Sequence, residues 1–566
     1  MIMLIVLAVV LLVTIMAFNE QKESSEPMNQ VQLESIDTDQ QIFLFPRSPH
    51  EVMHYHFRNT TAIPLPCRAT FMLVDRHGNM LARQSNTATL TADKVTDVPF
   101  TFDTRNYRFG VYDVQCTLEI EQDGQFTTGI QRETSIAVRS DTTIGKAQPG
   151  EFRYGMDLGH PPAYRNMENW AWMKAMGVDI LRREGNIKPL PEMIDFLHEQ
   201  GIQAMSCVDI PSGDDPAKLK ETFKALATAA EIKAAQTRNE FIYWELGNEP
   251  DMLEFFPGPI DDYLKGYDIV ARAIKRGNPN AIVMNGGICY ANPEANVRGH
   301  KFFEMVDPAT LDAVAYHAHG PGDAAERTMH EKIQLTLEMY QKSGRPLIET
   351  ESGMDARTKA QEEVQAATCI EKMVYAQSVK MPFFLWFRLC FEETNTYGMT
   401  RVPDDQPWWY AKEPRPSIMS YRAMVETLRD YTFSHTIDLG RDGLSCYAFS
   451  QNGGNGRVCV LWVNQKISYG VYLNACPNAA SITNAQVLDM YGNPESAMVL
   501  PDGRLKVTAG EFPIFVKWDT TVPARRFLAM TTGDSRQVDT VVDKIGRGAG
   551  PLAINARQFC WDRCVR

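Results

Sequence analysis

A chain of 566 residues is too long for one hydrophobic core and points to two to four domains. Its 57 basic and 70 acidic residues leave a net charge of −13, which argues against nucleic acid or an anionic membrane surface as partner. The same balance disfavours strongly polyanionic glycans unless a local basic cleft overrules it, while the apolar content is that of an ordinary globular protein.

Residues 1–18 are almost wholly apolar from Ile2 to Phe18, and the stretch Asn19 to Pro27 is polar. Such a run reads as a secretory signal or a membrane anchor and predicts a secreted or membrane-anchored, extracytoplasmic protein. No Lys or Arg precedes it and Ile15-Met16-Ala17 is a poor cleavage match, so cleavage stays open. Residues 19–39 read as a linker. Between 40 and 147 short alternating runs are separated by His77-Gly78-Asn79 and Gln122-Asp123-Gly124, hairpin turns of an Ig-like β-sandwich. Cys67 and Cys116 fall in this region and would bridge it in an oxidising compartment.

From 148 to 430 strand-like runs alternate with amphipathic helices, the pattern of a parallel sheet wrapped by helices. Strands are predicted at 153–157, 178–182, 202–208, 241–247, 281–285, 313–317, 346–350 and 382–387, the number a closed (β/α)8 TIM barrel needs. The fourth climbs through Phe241-Ile242-Tyr243-Trp244-Glu245-Leu246-Gly247-Asn248 to Glu249, where Pro250 ends further pairing. Glu249 thus stands at the carboxyl end of a buried strand, where such barrels keep their chemistry. A partly desolvated carboxyl group there has a raised pKa and suits a general acid. The seventh run, Arg345 to Gly353, ends in Glu349-Thr350-Glu351-Ser352. Glu249 and Glu351 are 102 residues apart, three strand–helix units of roughly 30–35 residues, so they face each other across one mouth. Two carboxylates flanking a site are the minimum equipment for glycoside hydrolysis. Glu349 competes with Glu351, being two residues earlier and on the same side of a regular strand; the strand-end position favours Glu351.

The pairing of Trp244-Glu245-Leu246-Gly247-Asn248-Glu249-Pro250-Asp251 with Glu349-Thr350-Glu351-Ser352-Gly353 resembles the clan A glycoside hydrolases. The wording is nearest to the xylosidase/iduronidase-like, arabinofuranosidase-like and heparanase-like families. The resemblance implies a retaining O-glycoside hydrolase acting on a poly- or oligosaccharide. It makes Glu351 the nucleophile and Glu249 the acid and then the base, with Asn248 on the sugar 2-hydroxyl. It implies that Arg182, or its neighbour Arg183, supports the nucleophile. Tyr316-His317-Ala318-His319 ends the sixth strand where the clan often shows His-x-Tyr, so His319 stands in place of that tyrosine. That departure supports the alternative, a catalytically impaired carbohydrate-binding protein at the cell surface. Trp386 is expected as the apolar floor of the sugar site, with His317 and His319 also on substrate. Asn285 and Asp157 are weaker candidates, and Trp408-Trp409-Tyr410 either stacks outer sugars or packs its own loop.

The His317/His319 pair raises zinc, but no third ligand is apparent and no CxxC occurs, so no metal and no cofactor is expected. Residues 431–520 alternate again and read as a second β-sandwich, and 521–566 as a poorly ordered tail. The partner expected is the carbohydrate substrate; the pattern says nothing of oligomeric state.

Overall fold

The computed structural model describes residues 30–158, 166–183, 191–213, 215–320, 345–390, 396–403, 410–441, 443–475, 482–521 and 543–544. The apolar segment 1–18, Trp408 and Trp409 lie outside them.

The first unit is a two-sheet sandwich. Val31–Thr38, Glu51–Asn59 and Val95–Phe102 form one sheet; Leu44–Phe45, Gln125–Val138, Gly110–Gln122, Leu65–Val74 and Met80–Leu90, in that order, form the other. Strict alternation buries Met53, Tyr55 and Phe57 from the first sheet. Phe71 receives them from the second, with ring centroids 4.9 Å from Tyr55. The sandwich begins before the boundary read at residue 40, because Val31–Thr38 pairs with Glu51–Asn59. A bulge between Leu33 and Ser35 breaks the two-residue period there and hid the strand in the sequence. The Cys67–Cys116 bridge is also corrected. Cys67 pairs with Ile120 and Cys116 with Phe71, four residues along the same strand. That offset is about 13 Å, beyond the reach of a disulfide, and both thiols are free and buried.

The second unit is the barrel. Its strands are β1 (Arg153–Asp157), β2 (Ile180–Arg183), β3 (Gln203–Val208), β4 (Phe241–Leu246), β5 (Ile282–Asn285), β6 (Val314–His317), β7 (Leu347–Ser352) and β8 (Phe383–Trp386). They form one parallel sheet in the order β5-β4-β3-β2-β1-β8-β7-β6. Only single bridges, Met284 to Ala313 and Ile288 to Tyr316, close β5 on β6. Asn285 completes that seam: its side chain donates to Ala315 O at 2.7 Å and accepts from Ala315 N at 3.0 Å. The described helices around the sheet are α1 (Met167–Met176), α2 (Pro191–Gln200), α3 (Pro216–Gln236), α4 (Ile260–Gly277), α5 (Pro293–Met305), α6 (Lys359–Ser378) and α7 (Pro416–Leu428).

Two apolar layers sort the strand residues. Ile180, Met205, Met284, Ala315, Ile348, Phe383 and Leu385 fill the barrel interior. Leu181, Trp244, Leu246, Tyr316, Phe384 and Trp386 face outward to the helices. Because strand side chains alternate, residues two steps above the interior layer also face inward, and those are polar: Arg182, Glu245, His317 and Thr350.

The third unit, Tyr431–Thr520, is a sandwich of a six-stranded sheet and a second sheet to which it gives three strands. The tail is not wholly apart from it, since Asp543–Lys544 pairs with Tyr469 and Gly470. The three units are pinned together near the start of α6. Arg76 of the first sandwich meets Glu362 at 2.7 Å and Glu363 at 3.2 Å. Asp113 meets Lys359 at 2.7 Å and Arg401 at 3.1 Å, while Tyr491 of the second sandwich donates to Glu363. Asn493 accepts from Phe109 N at 2.6 Å and donates to Phe109 O at 2.8 Å, joining the two sandwiches directly.

Candidate active site

Arg182 organises the polar layer. It is fully buried and its guanidinium meets Glu245 Oε2 at 2.7 Å, Asp157 Oδ2 at 3.1 Å, Glu351 Oε2 at 2.5 Å and Asn248 Oδ1 at 2.8 Å. A planar fork of fixed donors suits such a convergence of oxygens. Of the two arginines offered by the sequence, Arg182 reaches Glu351; the side chain of Arg183 lies outside the described ones. Asn248 sits beside Glu249 as expected. With its oxygen on Arg182, it offers a substrate its NH2 group, a donor.

His317 stands between the acids. Its Nδ1 is 2.8 Å from Glu249 Oε1 and 3.7 Å from Glu351 Oε2. These two distances share an atom, so the two carboxyl oxygens lie no further apart than their sum, 6.5 Å. Thr350 gives its one hydroxyl hydrogen to Glu245 Oε1 at 2.7 Å. It can therefore only accept from His317 Nε2, 3.2 Å away. Both ring nitrogens then have acceptors. Burial disfavours a charged imidazole, but the charge of Glu351, the nearby Glu245 carboxylate and the hydrogen bond to Glu249 raise its pKa well above the ordinary value. The ring needs room: a Cβ on Gly287 would lie 2.0 Å from His317 Nε2.

Burial alone would push Glu351 up. The charges of His317 and Arg182 overcome it and hold the carboxyl well below the usual range. Glu245 follows the same logic, burial opposed by Arg182 and His317, and is brought down to about 2. The sequence placed Glu245 below Glu249, and it lies there as the shared acceptor of Arg182 and Thr350.

Glu349 is not on the side of Glu351. The ladder between β6 and β7 pairs Tyr316 with Glu349 and then His317 with Glu351, so one residue bulges out. The bulge turns both Thr350 and Glu351 inward and leaves Glu349 on the outer face, where Oε1 accepts from Ala318 N at 2.8 Å. Burial raises its pKa to about 8.

His319 Nδ1 accepts from Gly353 N at 3.2 Å, which fixes the hydrogen on Nε2 in the neutral ring. That Nε2 lies 3.5 Å from Glu351 Oε1. Trp386 is corrected as a sugar floor. It is fully buried among residues facing the helices, as alternation from Leu385 requires. The aromatic one step on, Phe387, is on the site side, with its ring centroid 5.0 Å from His319. Asn285 belongs to the barrel seam and Asp157 to the Arg182 network. Tyr410 is described but its two tryptophan neighbours are not.

Features beyond those expected from the sequence surround the acid. Glu249 has φ +42°, a left-handed backbone rarely adopted by a side chain of this kind. Asp251, buried two residues on, accepts from Cys289 N at 3.1 Å and Tyr290 N at 2.8 Å and so ties this turn to the loop after β5. Burial raises Asp251 to about 6. A cleft beside Asn248 is lined by Asp209, Ile210, Pro250, Phe255 and Phe256, with Phe255 half-exposed. Among the described residues no cluster of three or more His, Cys, Asp or Glu could hold a metal ion.

No protein-family model and no curated protein sequence matches this chain. Among solved structures, a family 39 glycoside hydrolase from the gut symbiont Bacteroides cellulosilyticus superposes with a TM-score of 0.57 at 15% identity, over 86% of this chain and 100% of that one. A GH30 endoxylanase from Clostridium papyrosolvens gives 0.45 at 12% identity, over 67% and 98%. A β-glucuronidase from Bacteroides uniformis gives 0.38 at 12% identity; this chain covers 60% of it, with 90% of its own residues aligned. The first likeness establishes a shared fold: a barrel with flanking β-rich domains.

Proposed function

We propose that the protein is a retaining O-glycoside hydrolase of clan A type, acting on a poly- or oligosaccharide. The observation that carries this reading is the convergence of Glu249 and Glu351 on one imidazole nitrogen of His317, which puts Glu249 Oε1 and Glu351 Oε2 no more than 6.5 Å apart. Retention calls for carboxyl groups roughly 5–5.5 Å apart, and inversion for roughly 6.5–9.5 Å to admit a water.

The chemistry follows from the surroundings of each acid. Glu351, kept ionised by Arg182 and His317, attacks the anomeric carbon and forms a covalent glycosyl-enzyme. The leaving oxygen takes a proton from Glu249, whose Oε1 shares a 2.8 Å contact with His317 Nδ1. In the second step Glu249 takes a proton from water, and the water oxygen displaces Glu351. Asn248 donates to the 2-hydroxyl, a bond that strengthens as the ring flattens. The nitrogen of His319 beside Glu351 offers the donor that the missing tyrosine would have supplied, which weakens the case for an impaired binding protein. The apolar segment 1–18 supports an extracytoplasmic location, secreted or anchored.

The test is a panel of aryl glycosides with wild type, Glu249→Gln and Glu351→Gln, following the anomer of the first-formed product by NMR. Activity in the wild type, its loss in Glu351→Gln and retained configuration are expected. Equal activity in all three, or an inverted product, would reject the mechanism.

A further inference from the structure

Behind the site, on the outer side of β6 and β7, α6 buries a lysine completely. Lys372 Nζ lies 2.7 Å from Ala318 O, 2.9 Å from Ser352 Oγ and 3.3 Å from Gly353 O. Three acceptors match the three N–H bonds of an ammonium group. Ser352 Oγ also donates to Ala318 O, at 2.5 Å, and Glu349 Oε1 accepts from Ala318 N at 2.8 Å. Ala318 is the residue between His317 and His319, and Ser352 and Gly353 directly follow Glu351. The peptide groups on either side of Ala318, between the two histidines, and the hydroxyl and carbonyl of the two residues after Glu351 are thus gripped from outside the barrel.

The grip lies where the ladder is weakest. The bulge in β7 that turns Glu351 inward interrupts regular pairing with both β6 and β8, and a bulge leaves one residue without its ladder partner. We propose that Lys372 is a positioning residue, whose ammonium group cross-links the ends of β6 and β7 and so sets Glu351 against His317 and His319. The inference rests on the hydrolase reading for its kinetic consequence, but not for its structural one. Lys372 touches no substrate and acts only through Ala318, Ser352 and Gly353.

The test compares wild type with Lys372→Met, which keeps the length of the side chain and removes every donor. Lys372→Met removes a desolvated charge but leaves the oxygens of Ala318, Ser352 and Gly353 without that donor, so a modest fall in Tm is expected with the fold retained. On an activated aryl glycoside kcat should fall on the order of 100-fold, as displacements near 1 Å do, with KM little changed. Hydrogen exchange at the Ala318 and Gly353 amides should quicken. Unchanged kcat with unchanged exchange overturns the proposal, as does a fall in Tm with normal turnover per active molecule. If Lys372→Met does not fold, Lys372→Gln replaces it: an intermediate kcat supports the grip and a wild-type value overturns it. If the wild type cleaves no glycoside, the hydrolase reading has failed, and exchange alone judges the grip.

Discussion

On the inner face of β7, Glu351 lies against Arg182 and His317; on the outer face, Glu349 lies against the helical layer near Lys372. Both side chains are almost sealed from water. The inner one is held ionised by adjacent positive charge, and the outer one is pushed up to about 8 by burial. Burial alone therefore does not make a carboxyl group an acid or a nucleophile. The distribution of charge around it does, and here a single bulged residue assigns each glutamate to its side.

The largest expected effect breaks this comparison directly. Glu351→Gln should lower kcat/KM by ~10⁴-fold or more, as removal of a nucleophile does. Glu349→Gln should stay near wild type, since it replaces a carboxyl that is largely neutral at pH 7. Steady-state kinetics on aryl glycosides would show the assignment to be wrong if the two results were exchanged. Next, removing the acid by Glu249→Ala should cost roughly 10²–10⁴-fold on poor leaving groups. It should spare activated ones, and azide should restore turnover by attacking the glycosyl-enzyme; no azide effect would count against a covalent intermediate.

A stability measurement sharpens the inner side. Arg182→Met leaves Asp157, Glu245 and Glu351 buried without their common partner, a loss of about 3–5 kcal/mol for an uncompensated buried charge. A chemical-denaturation midpoint close to wild type would contradict the network. The outer side has its own signature in pH. Glu349 is raised above its unfolded value, so the folded state binds the extra proton and stability falls as pH rises from about 4.5 to about 8. Glu245 is depressed to about 2, so its contribution is present above the unfolded value and is lost as pH falls towards 2. Tm measured between pH 5 and 8 should decline less steeply in Glu349→Gln than in wild type. The smallest effect is at the cleft. Phe255→Ala removes a half-exposed ring worth about 0.5–1.5 kcal/mol in contact with a substrate group, and should raise KM a few-fold without altering kcat.

Much of this molecule is readable from its sequence for a simple reason. Period-two and helical patterns report what is buried, and Arg153–Asp157 and Phe241–Leu246 fall within a residue or two of their expected ends. The acids were legible because Pro250 and Gly353 end their strands. Trp386 was misjudged although the information was present: counting two residues at a time from Phe383 leads to Leu385 and Phe387, not to the tryptophan. The bulge at Thr350 was illegible, because a single extra residue leaves composition and spacing untouched while exchanging faces. Lys372 was hidden among helix residues whose neighbours are set only by tertiary packing. His317 could be placed, but its protonation depends on Thr350 and Glu245, which no spacing connects.

The ion pairs that join the first sandwich to α6 have a consequence in time. Arg76 and its partner Glu362 are separated by 286 residues of chain. At a synthesis rate of roughly 5–20 residues per second, the sandwich emerges some 15–60 s before its counter-charges exist. During that interval Arg76 and Asp113 face water, as an unmatched docking surface waiting for the rest of the molecule. The sandwich must therefore hold its shape on its own aromatic core, centred on Tyr55, Phe71 and Phe100. The barrel, arriving later, closes α6 onto a template that is already formed.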